Sequence, residues 1–167
     1  MAEMNASEEI LRRTTESRRR SKTLELLQKM LSLEHFPSRI ESFDISNLGN
    51  TGIVAAMVVF RDGKPLRRDY RKFRMKDIPI QDDYASMYEV LTRRFERGLR
   101  ENEESISDSF TRMPDLLMMD GGKGQGHIAE EVCGELGLDI PVCGMVKDDQ
   151  HGTRGLYYDN VEIPIDK

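Results

Sequence analysis

Apolar residues recur at helical spacing near the start of the chain. Leucines lie about one turn apart from Leu24 to Leu31, within a segment at residues 7–33 that is otherwise rich in Glu, Arg and Lys. The pattern predicts a helix that is ended by Pro37. Because the part before Ser21 has few apolar anchors, we expect it to fray or to act as a linker.

A second helix is predicted over residues 83–100, where apolar and aromatic residues mark one face. The face consists of Tyr84, Tyr88, Leu91, Phe95 and Leu99. Asp82 or Asp83 supplies the N-cap, since an aspartate side chain can accept a hydrogen bond from a free amide of the first turn.

Between these two helices, short β-branched and aromatic runs predict strands. RIESFDIS begins at Arg39, and GIVAAMVVF begins at Gly52. The second run meets Asp62-Gly63, a strong hairpin signal, and continues into PLRRDYRKFRM, so the second and third strands should pair antiparallel. The expected result is a three-stranded antiparallel meander.

The second half of the chain alternates strands with a helix. PDLLMMDGG and IPVCGMVKDD are short apolar runs of the kind found in buried parallel strands. Between them, GKGQGHIAEEVCGELGL predicts a glycine-opened helix that ends at Gly137, and LYYDNVEIPI predicts a closing hairpin around Asp159-Asn160. We therefore expect an α/β fold with a mixed sheet, in which a three-stranded antiparallel meander is followed by two parallel strands, flanked by helices and preceded by an N-terminal helical extension.

Composition limits the class of protein. A length of 167 residues suggests one domain, and 38% hydrophobic with 33% charged residues is typical of a globular chain. The chain has neither a run of about 18 apolar residues nor a secretory leader, so we expect a cytoplasmic protein with no membrane partner. Cys133 and Cys143 lack metal-ligand spacing and are expected to be core residues.

Basic residues are concentrated in two segments, although the formal net charge is −5. Residues 61–76 carry eight Lys or Arg against two Asp, and residues 12–22 carry six against one Glu. Such segments favour a polyanionic partner, with a solvated surface as the alternative. Strand alternation predicts that four basic residues share one side of the third strand, namely Arg68, Lys72, Arg74 and Lys76.

Two aspartates interrupt apolar runs and need a physical reason. Asp44 lies between Phe43 and Ile45, and Asp120 ends LLMMD; a buried ionised side chain is costly unless it is paired. If the first strand lies beside the first parallel strand, both carboxylates can reach one face, and Asp83 can join them from the start of its helix. Like charges about 4 Å apart repel by roughly 4 kcal/mol at an effective dielectric of about 20, so such a cluster implies a cation, and oxygen ligands select Mg²⁺ or Mn²⁺. The structural alternatives are that Asp83 is a helix N-cap and that Asp120 is a turn residue.

Five motifs, in order, resemble the UvrC family, the incision subunit of bacterial nucleotide excision repair. They are FDISN at 43–47, VAAMVVFRDGKP at 54–65, DDYASM at 82–87, DGGKGQ at 120–125 and KDDQHGTRGL at 147–156. The resemblance covers about residues 36–167 and implies an RNase H-like endonuclease domain that makes the 5′ incision beside a DNA lesion. It carries the catalytic, metal-binding aspartates onto Asp44, Asp83 and Asp120. It also implies damaged duplex DNA as a partner and, at the level of the family, UvrB, although the family's UvrB-binding segment has no counterpart in this chain.

The resemblance implies a helical linker at residues 1–36 and an endonuclease domain at 37–167. The family's core also includes a histidine in an Asp-Glu-Ala-His-Arg-like helix, a motif that does not occur before the chain ends at IPIDK, so we expect slow or absent DNA nicking. Together with the basic third strand, Lys123 and Gln125 are expected to contact DNA or support the metal site; a plain helix start is the alternative. His151 belongs to KDDQH and is expected to be structural or close to DNA rather than catalytic.

Two other classes of protein remain open at this point. A phosphoacceptor receiver domain would use Asp120 as the acceptor and Lys147 at a strand end, although a receiver alternates strands and helices from its start. A non-catalytic DNA-binding module fits the same basic segments. Metal-dependent nicking of a supercoiled plasmid separates a nuclease from a binding module.

Overall fold

A computed structural model describes residues 2–47, 52–75, 82–105, 109–120, 123–150, 152–159 and 161–164. Over these residues the chain forms three α-helices and one mixed sheet of eight strands. The helices are α1 Ala2–Leu31, α2 Asp83–Glu103 and α3 Lys123–Glu135. The strands are β1 Arg39–Asn47, β2 Ile53–Arg61, β3 Lys64–Pro65, β4 Arg71–Met75, β5 Leu116–Asp120, β6 Val142–Lys147, β7 Thr153–Tyr158 and β8 Val161–Pro164.

The sheet has the order β3-β2-β1-β5-β6-β7-β8, with β4 also paired to β2. β1 pairs antiparallel with β2 and parallel with β5, and β5 pairs parallel with β6. β7 and β8 then continue the sheet with antiparallel pairs. This topology confirms the expected α/β fold, in which an antiparallel meander precedes two parallel strands. Tyr158 pairs with Val161, as the closing hairpin requires; Asn160 lies outside the described residues.

The third strand of the meander differs from the expectation of one continuous run. The predicted turn is present, with Asp62 at φ 52° and Gly63 at φ 82°, the backbone conformation that tight hairpins favour. After the two residues of β3, a 3₁₀ turn at Arg67–Asp69 precedes β4. This turn buries Asp69, whose carboxylate accepts a hydrogen bond from Nη1 of Arg39 at 2.7 Å. The interruption therefore coincides with a buried ion pair to the start of β1.

The sheet buries apolar side chains on both faces. Helices α2 and α3 cover one of them, here called the α2/α3 face, with a core built around Phe43, Met57, Phe95, Leu117 and Val132. The end of α1 covers part of the other, here called the α1 face, with a smaller core of Leu31, Leu33, Leu116, Cys143 and Leu156. Both cysteines are buried and free, as expected. No helix in the described ranges has the length and apolar character needed to cross a bilayer.

Helix α1 extends further toward the N-terminus than expected. It is helical from Ala2, which contradicts the fraying expected before Ser21, whereas the alternative that this part is a linker stays a prediction. Glu9 accepts hydrogen bonds from Arg12 at 2.7 Å and from Arg13 at 3.0 Å, contacts that stabilise a helix whose apolar residues there are exposed. The helix ends at Leu31, before Pro37 is reached.

Helix α2 is rotated relative to the predicted face. Its buried residues are Ser86, Met87, Val90, Leu91, Arg94, Phe95, Gly98 and Glu101. Leu91 and Phe95 were expected there, but Tyr84 is 54% exposed. The charged side chain of Arg94, which was not expected on this face, is completely buried. α3 is followed by Gly137 at φ 69°, which confirms the predicted end of that helix.

Candidate active site at the carboxyl ends of two parallel strands

A cleft of about 210 Å³ opens where β1 and β5 end and α2 and α3 begin. Its lining residues are Phe43, Asp44, Ile45, Asp83, Met87, Asp120 and Gln125. β1 and β5 are parallel neighbours, so their carboxyl ends lie at the same edge of the sheet. The three aspartates singled out in the sequence thus line one cavity, although Asp83 comes 39 positions after Asp44 and Asp120 comes 37 positions after Asp83.

Asp44 reaches this cleft from the exposed side of β1. Its neighbour Phe43 is 1% exposed and packs on the α2/α3 face, whereas the Asp44 side chain points to the α1 face and is exposed. The reasoning that Asp44 is a costly buried charge is therefore wrong. The side chain lies at a place where the sheet is left open to solvent.

Asp83 lies in the cleft because its neighbour Asp82 caps the helix. Oδ1 of Asp82 accepts a hydrogen bond from the amide of Ala85 at 2.9 Å. Its backbone carbonyl accepts bonds from the amide and the hydroxyl of Ser86. Asp83 is the first residue of α2, and the positive end of the helix dipole favours a carboxylate there. The alternative in which Asp83 is the N-cap is wrong.

Asp120 ends β5 and forms an ion pair with the neighbouring strand. Oδ2 of Asp120 accepts a hydrogen bond from Nζ of Lys147 at 2.9 Å, and the side chains are 38% and 44% exposed. Lys147 is the last residue of β6, the parallel neighbour of β5. From the sequence, Lys147 was recognised only as a residue at a strand end, and its contact with Asp120 was not predicted.

The donor atoms of the cleft fit a hard divalent cation. Three carboxylates line the cleft, and Oε1 of Gln125 is buried without a hydrogen-bond partner. Within the described residues, no three His, Cys, Asp or Glu side chains lie close enough together to hold a metal ion. Carboxylate and amide oxygens are ligand types that hard divalent cations prefer, but the three carboxylates are not gathered into a coordination shell.

A buried charge network fixes β1 against α2 behind the cleft. Arg94 donates to both oxygens of Glu41 at 2.9 Å, and Arg39 donates to Oε2 of Glu41 at 2.9 Å. Arg94 also donates to the carbonyls of Phe110 and Arg112 at 2.8 Å. Sequence reasoning missed this network; the signal was Glu41, a charge on the inward side of an apolar strand three residues before Asp44.

Two tyrosines connect α2 to α3 on the outside of the fold. Tyr84 donates its phenolic hydrogen to Glu131 at 2.6 Å, and Tyr88 donates to Glu135. The hydrogen bond to Glu135 raises the pKa of Tyr88 to about 12. Because α2 presents Asp83 and α3 presents Gln125, these contacts help to set the relative position of two walls of the cleft.

The residues predicted to contact DNA do not form one strand surface. Lys72 and Arg74 are exposed on β4, but Arg68 lies in the preceding 3₁₀ turn, so the shared side expected for it is wrong. Lys123 begins α3, and Gln125 lines the cleft. Lys76 and His151 lie outside the described residues.

Comparison with known proteins decides the family. The family model described as UvrC RNase H endonuclease domain matches residues 28–166. The chain belongs to this UvrC family. The UvrABC system protein C of Lachnospira eligens is 63% identical over 131 residues, which are 77% of this chain and 21% of that protein. The corresponding protein of Clostridium beijerinckii is 49% identical over 152 residues, 87% of this chain and 24% of its own length.

The UvrC relationship confirms the resemblance found in the motifs and excludes the receiver alternative, which the antiparallel β1–β2 pair also contradicts. The chain spans about a fifth to a quarter of the length of these relatives. Among solved structures, Ciona intestinalis endonuclease V in complex with DNA has a TM-score of 0.44 and 16% identity, covering 85% of this chain and 59% of that one. That likeness is too distant to bear on function.

Proposed function

We propose that this UvrC-family chain is a divalent-metal-dependent endonuclease that hydrolyses a phosphodiester bond of DNA. The observation that carries the proposal is the shared cleft, in which Asp44, Asp83 and Asp120 arrive from three separate elements. Membership of a family described as an endonuclease domain supports the same class of reaction.

Asp44, Asp83 and Asp120 would hold Mg²⁺ or Mn²⁺ through carboxylate oxygens, with the amide oxygen of Gln125 as a further neutral ligand. When bound, a divalent ion activates water as a nucleophile and neutralises charge on the phosphate. The residues of the chain supply the negative charge that attracts the ion. The buried Arg94–Glu41 pair keeps the strand that carries Asp44 in place relative to α2.

The test measures Mn²⁺ binding by calorimetry and Mn²⁺-dependent nicking of a supercoiled plasmid. Asp44→Asn, Asp83→Asn and Asp120→Asn are each expected to weaken binding by about tenfold or more and to abolish nicking. Binding is the primary readout, because it reports on the three carboxylates directly.

Asp82→Asn is the matched control for Asp83→Asn. The two aspartates are adjacent, and asparagine caps a helix about as well as aspartate, so the control should keep both the fold and the binding of Mn²⁺. Equal behaviour of Asp82→Asn and Asp83→Asn would refute the three-aspartate site.

The open part of the α1 face offers a path for DNA. Asp44 pairs with Ala56, and Ala56 pairs with Lys72, so all three side chains point to the same side of the sheet. Two strand spacings place the backbone of Lys72 roughly 10 Å from that of Asp44. Arg74 lies on the same side, two residues further along β4. A phosphate backbone that contacts these cations therefore passes the carboxylates.

The wider role follows from the family and is part of the same proposal: the 5′ incision beside a lesion in duplex DNA, in the cytoplasm, with UvrB as a partner. Its test adds the chain to UvrA, UvrB and an end-labelled duplex that carries one lesion. Cleavage on the 5′ side of the lesion that is lost in Asp120→Asn would support this role.

A second candidate function is a DNA-binding part without catalysis. It is favoured by the separation of the acidic side chains, since no three of them within the described ranges are close enough to hold a metal. Binding of duplex DNA that is unchanged by Mn²⁺, together with no calorimetric signal for Mn²⁺, would establish this alternative.

A further inference from the structure

Lys147 is connected to the cleft by the ion pair with Asp120. Its ammonium group lies 2.9 Å from Oδ2 of Asp120. Asp120 lines the cleft, so this ion pair joins Lys147 to one of the three cleft aspartates. An exposed pair of this kind contributes at most about 1 kcal/mol to stability, so folding does not require it.

The backbone around Lys147 is arranged to hold this side chain at the cleft. The pairing of β6 with β7 shifts register at this residue: Val146 pairs with Gly155, whereas Lys147 pairs with Thr153, which leaves Arg154 as an additional residue. Bulges of this kind re-aim side chains and are common next to active sites.

The loop after Lys147 is closed by the next side chain. Oδ1 of Asp148 accepts hydrogen bonds from the amides of Gln150 at 2.9 Å and Gly152 at 2.8 Å, and the amide of Asp148 donates to the carbonyl of Gly152 at 2.7 Å. The end of β6 is thus held by side-chain and main-chain bonds. The ion pair of Lys147 therefore lies next to a hydrogen-bonded loop.

We propose that Lys147 is an exchangeable counter-ion of the proposed metal site. In the free protein it neutralises Asp120 and competes with the divalent ion for that carboxylate. When DNA binds, a phosphate oxygen takes the ammonium group, and Asp120 becomes available to the metal. Lysine suits this exchange because its compact charge binds a carboxylate or a phosphate without a fixed planar geometry.

The proposal rests on the function proposed above and makes metal binding and DNA binding mutually dependent. Binding of DNA should strengthen binding of the metal, and the metal should strengthen binding of DNA by the same factor, since coupling free energies are reciprocal. Lys147 acts on the metal through Asp120, so it is a positioning residue with respect to the ion.

The experiment measures Mn²⁺ binding to the free chain by calorimetry in wild type, Lys147→Met and Lys147→Arg. Lys147→Met removes the charge at similar length, and we expect Mn²⁺ to bind about twofold to fivefold more tightly, which is the range of one exposed ion pair. Lys147→Arg keeps the charge and should resemble wild type. Lys64→Met, on the exposed strand β3, is the matched control and should have no effect.

A second measurement repeats the titration with a short duplex whose linkages resist hydrolysis but keep a negatively charged phosphate oxygen. The strengthening of Mn²⁺ binding by this duplex should be smaller in Lys147→Met than in wild type. Unchanged or weaker Mn²⁺ binding by Lys147→Met, or equal coupling in the two proteins, would overturn the proposal. If wild type itself binds no Mn²⁺ with or without the duplex, the proposed function fails instead, so the two failures are distinguishable.

Discussion

Replacing Arg94 by methionine should test whether the buried charge network holds β1 to α2. Arg94 is completely buried and makes four hydrogen bonds, two to Glu41 and one each to the carbonyls of Phe110 and Arg112. Methionine preserves much of the length and apolar volume but removes every one of these bonds. Glu41, also fully buried, then keeps Arg39 alone as its cationic partner.

The magnitude follows from the burial of the remaining charge. Removing one partner of a buried ion pair costs about 3 to 5 kcal/mol, because the other charge stays desolvated. A domain is stabilised by about 5 to 15 kcal/mol in total, so Arg94→Met should remain folded with much of its free energy of unfolding lost. Arg100→Met, on the exposed side of the same helix, should change that free energy by about 0.5 kcal/mol or less.

The assay is urea unfolding followed by far-ultraviolet circular dichroism. A double-mutant cycle with Glu41→Leu separates the pair from general loss of packing: the double variant Glu41→Leu/Arg94→Met should be more stable than the sum of the single changes predicts. Arg39 retains Asp69 as its partner in that variant. A loss below about 1 kcal/mol for Arg94→Met, or additive effects in the cycle, would refute the idea that this network holds the two elements together.

Two further expectations concern DNA binding and the thiols. Substituting Lys72 and Arg74 by alanine should reduce the slope of log binding constant against log salt concentration by about one unit for each phosphate that the protein no longer neutralises. The slope is measured by fluorescence anisotropy with a labelled duplex at several salt concentrations. An unchanged slope places the DNA path elsewhere. Burial raises the pKa of Cys133 to about 11 and that of Cys143 to about 12, so both thiols should react slowly with a disulfide reagent at pH 8 until urea unfolds the chain. These folded-state pKa values lie above the ordinary thiol value of 9.0, so the stabilisation from the two protonated thiols is complete below pH 9 and is lost as the pH rises through 11 to 12. The free energy of unfolding, measured with urea at pH 8 and pH 10, should show the beginning of this loss.

Much of the fold could be predicted because it depends on local pattern. The Asp62-Gly63 turn, the apolar run that became β5 and the glycine that follows α3 each act within a few residues. The third strand could not be predicted in full, because its interruption involves Asp69 and Arg39, which are 30 residues apart. For the same reason the inner face of α2 was misplaced: no helical periodicity shows that Arg94 meets a glutamate on another element.

The sequence by itself determined the family, most of the order of the elements and the choice of the three aspartates that line the cleft, since five motifs at fixed spacing and the strand and helix periods are properties of the linear chain. The tertiary structure alone decided which aspartate caps α2 and which faces the cleft, because Asp82 and Asp83 differ only in their orientation at the helix start. It also decided that Asp44 is exposed and that Lys147 meets Asp120. Both follow from the pairing of β1, β5 and β6, which brings together side chains that the chain itself keeps far apart.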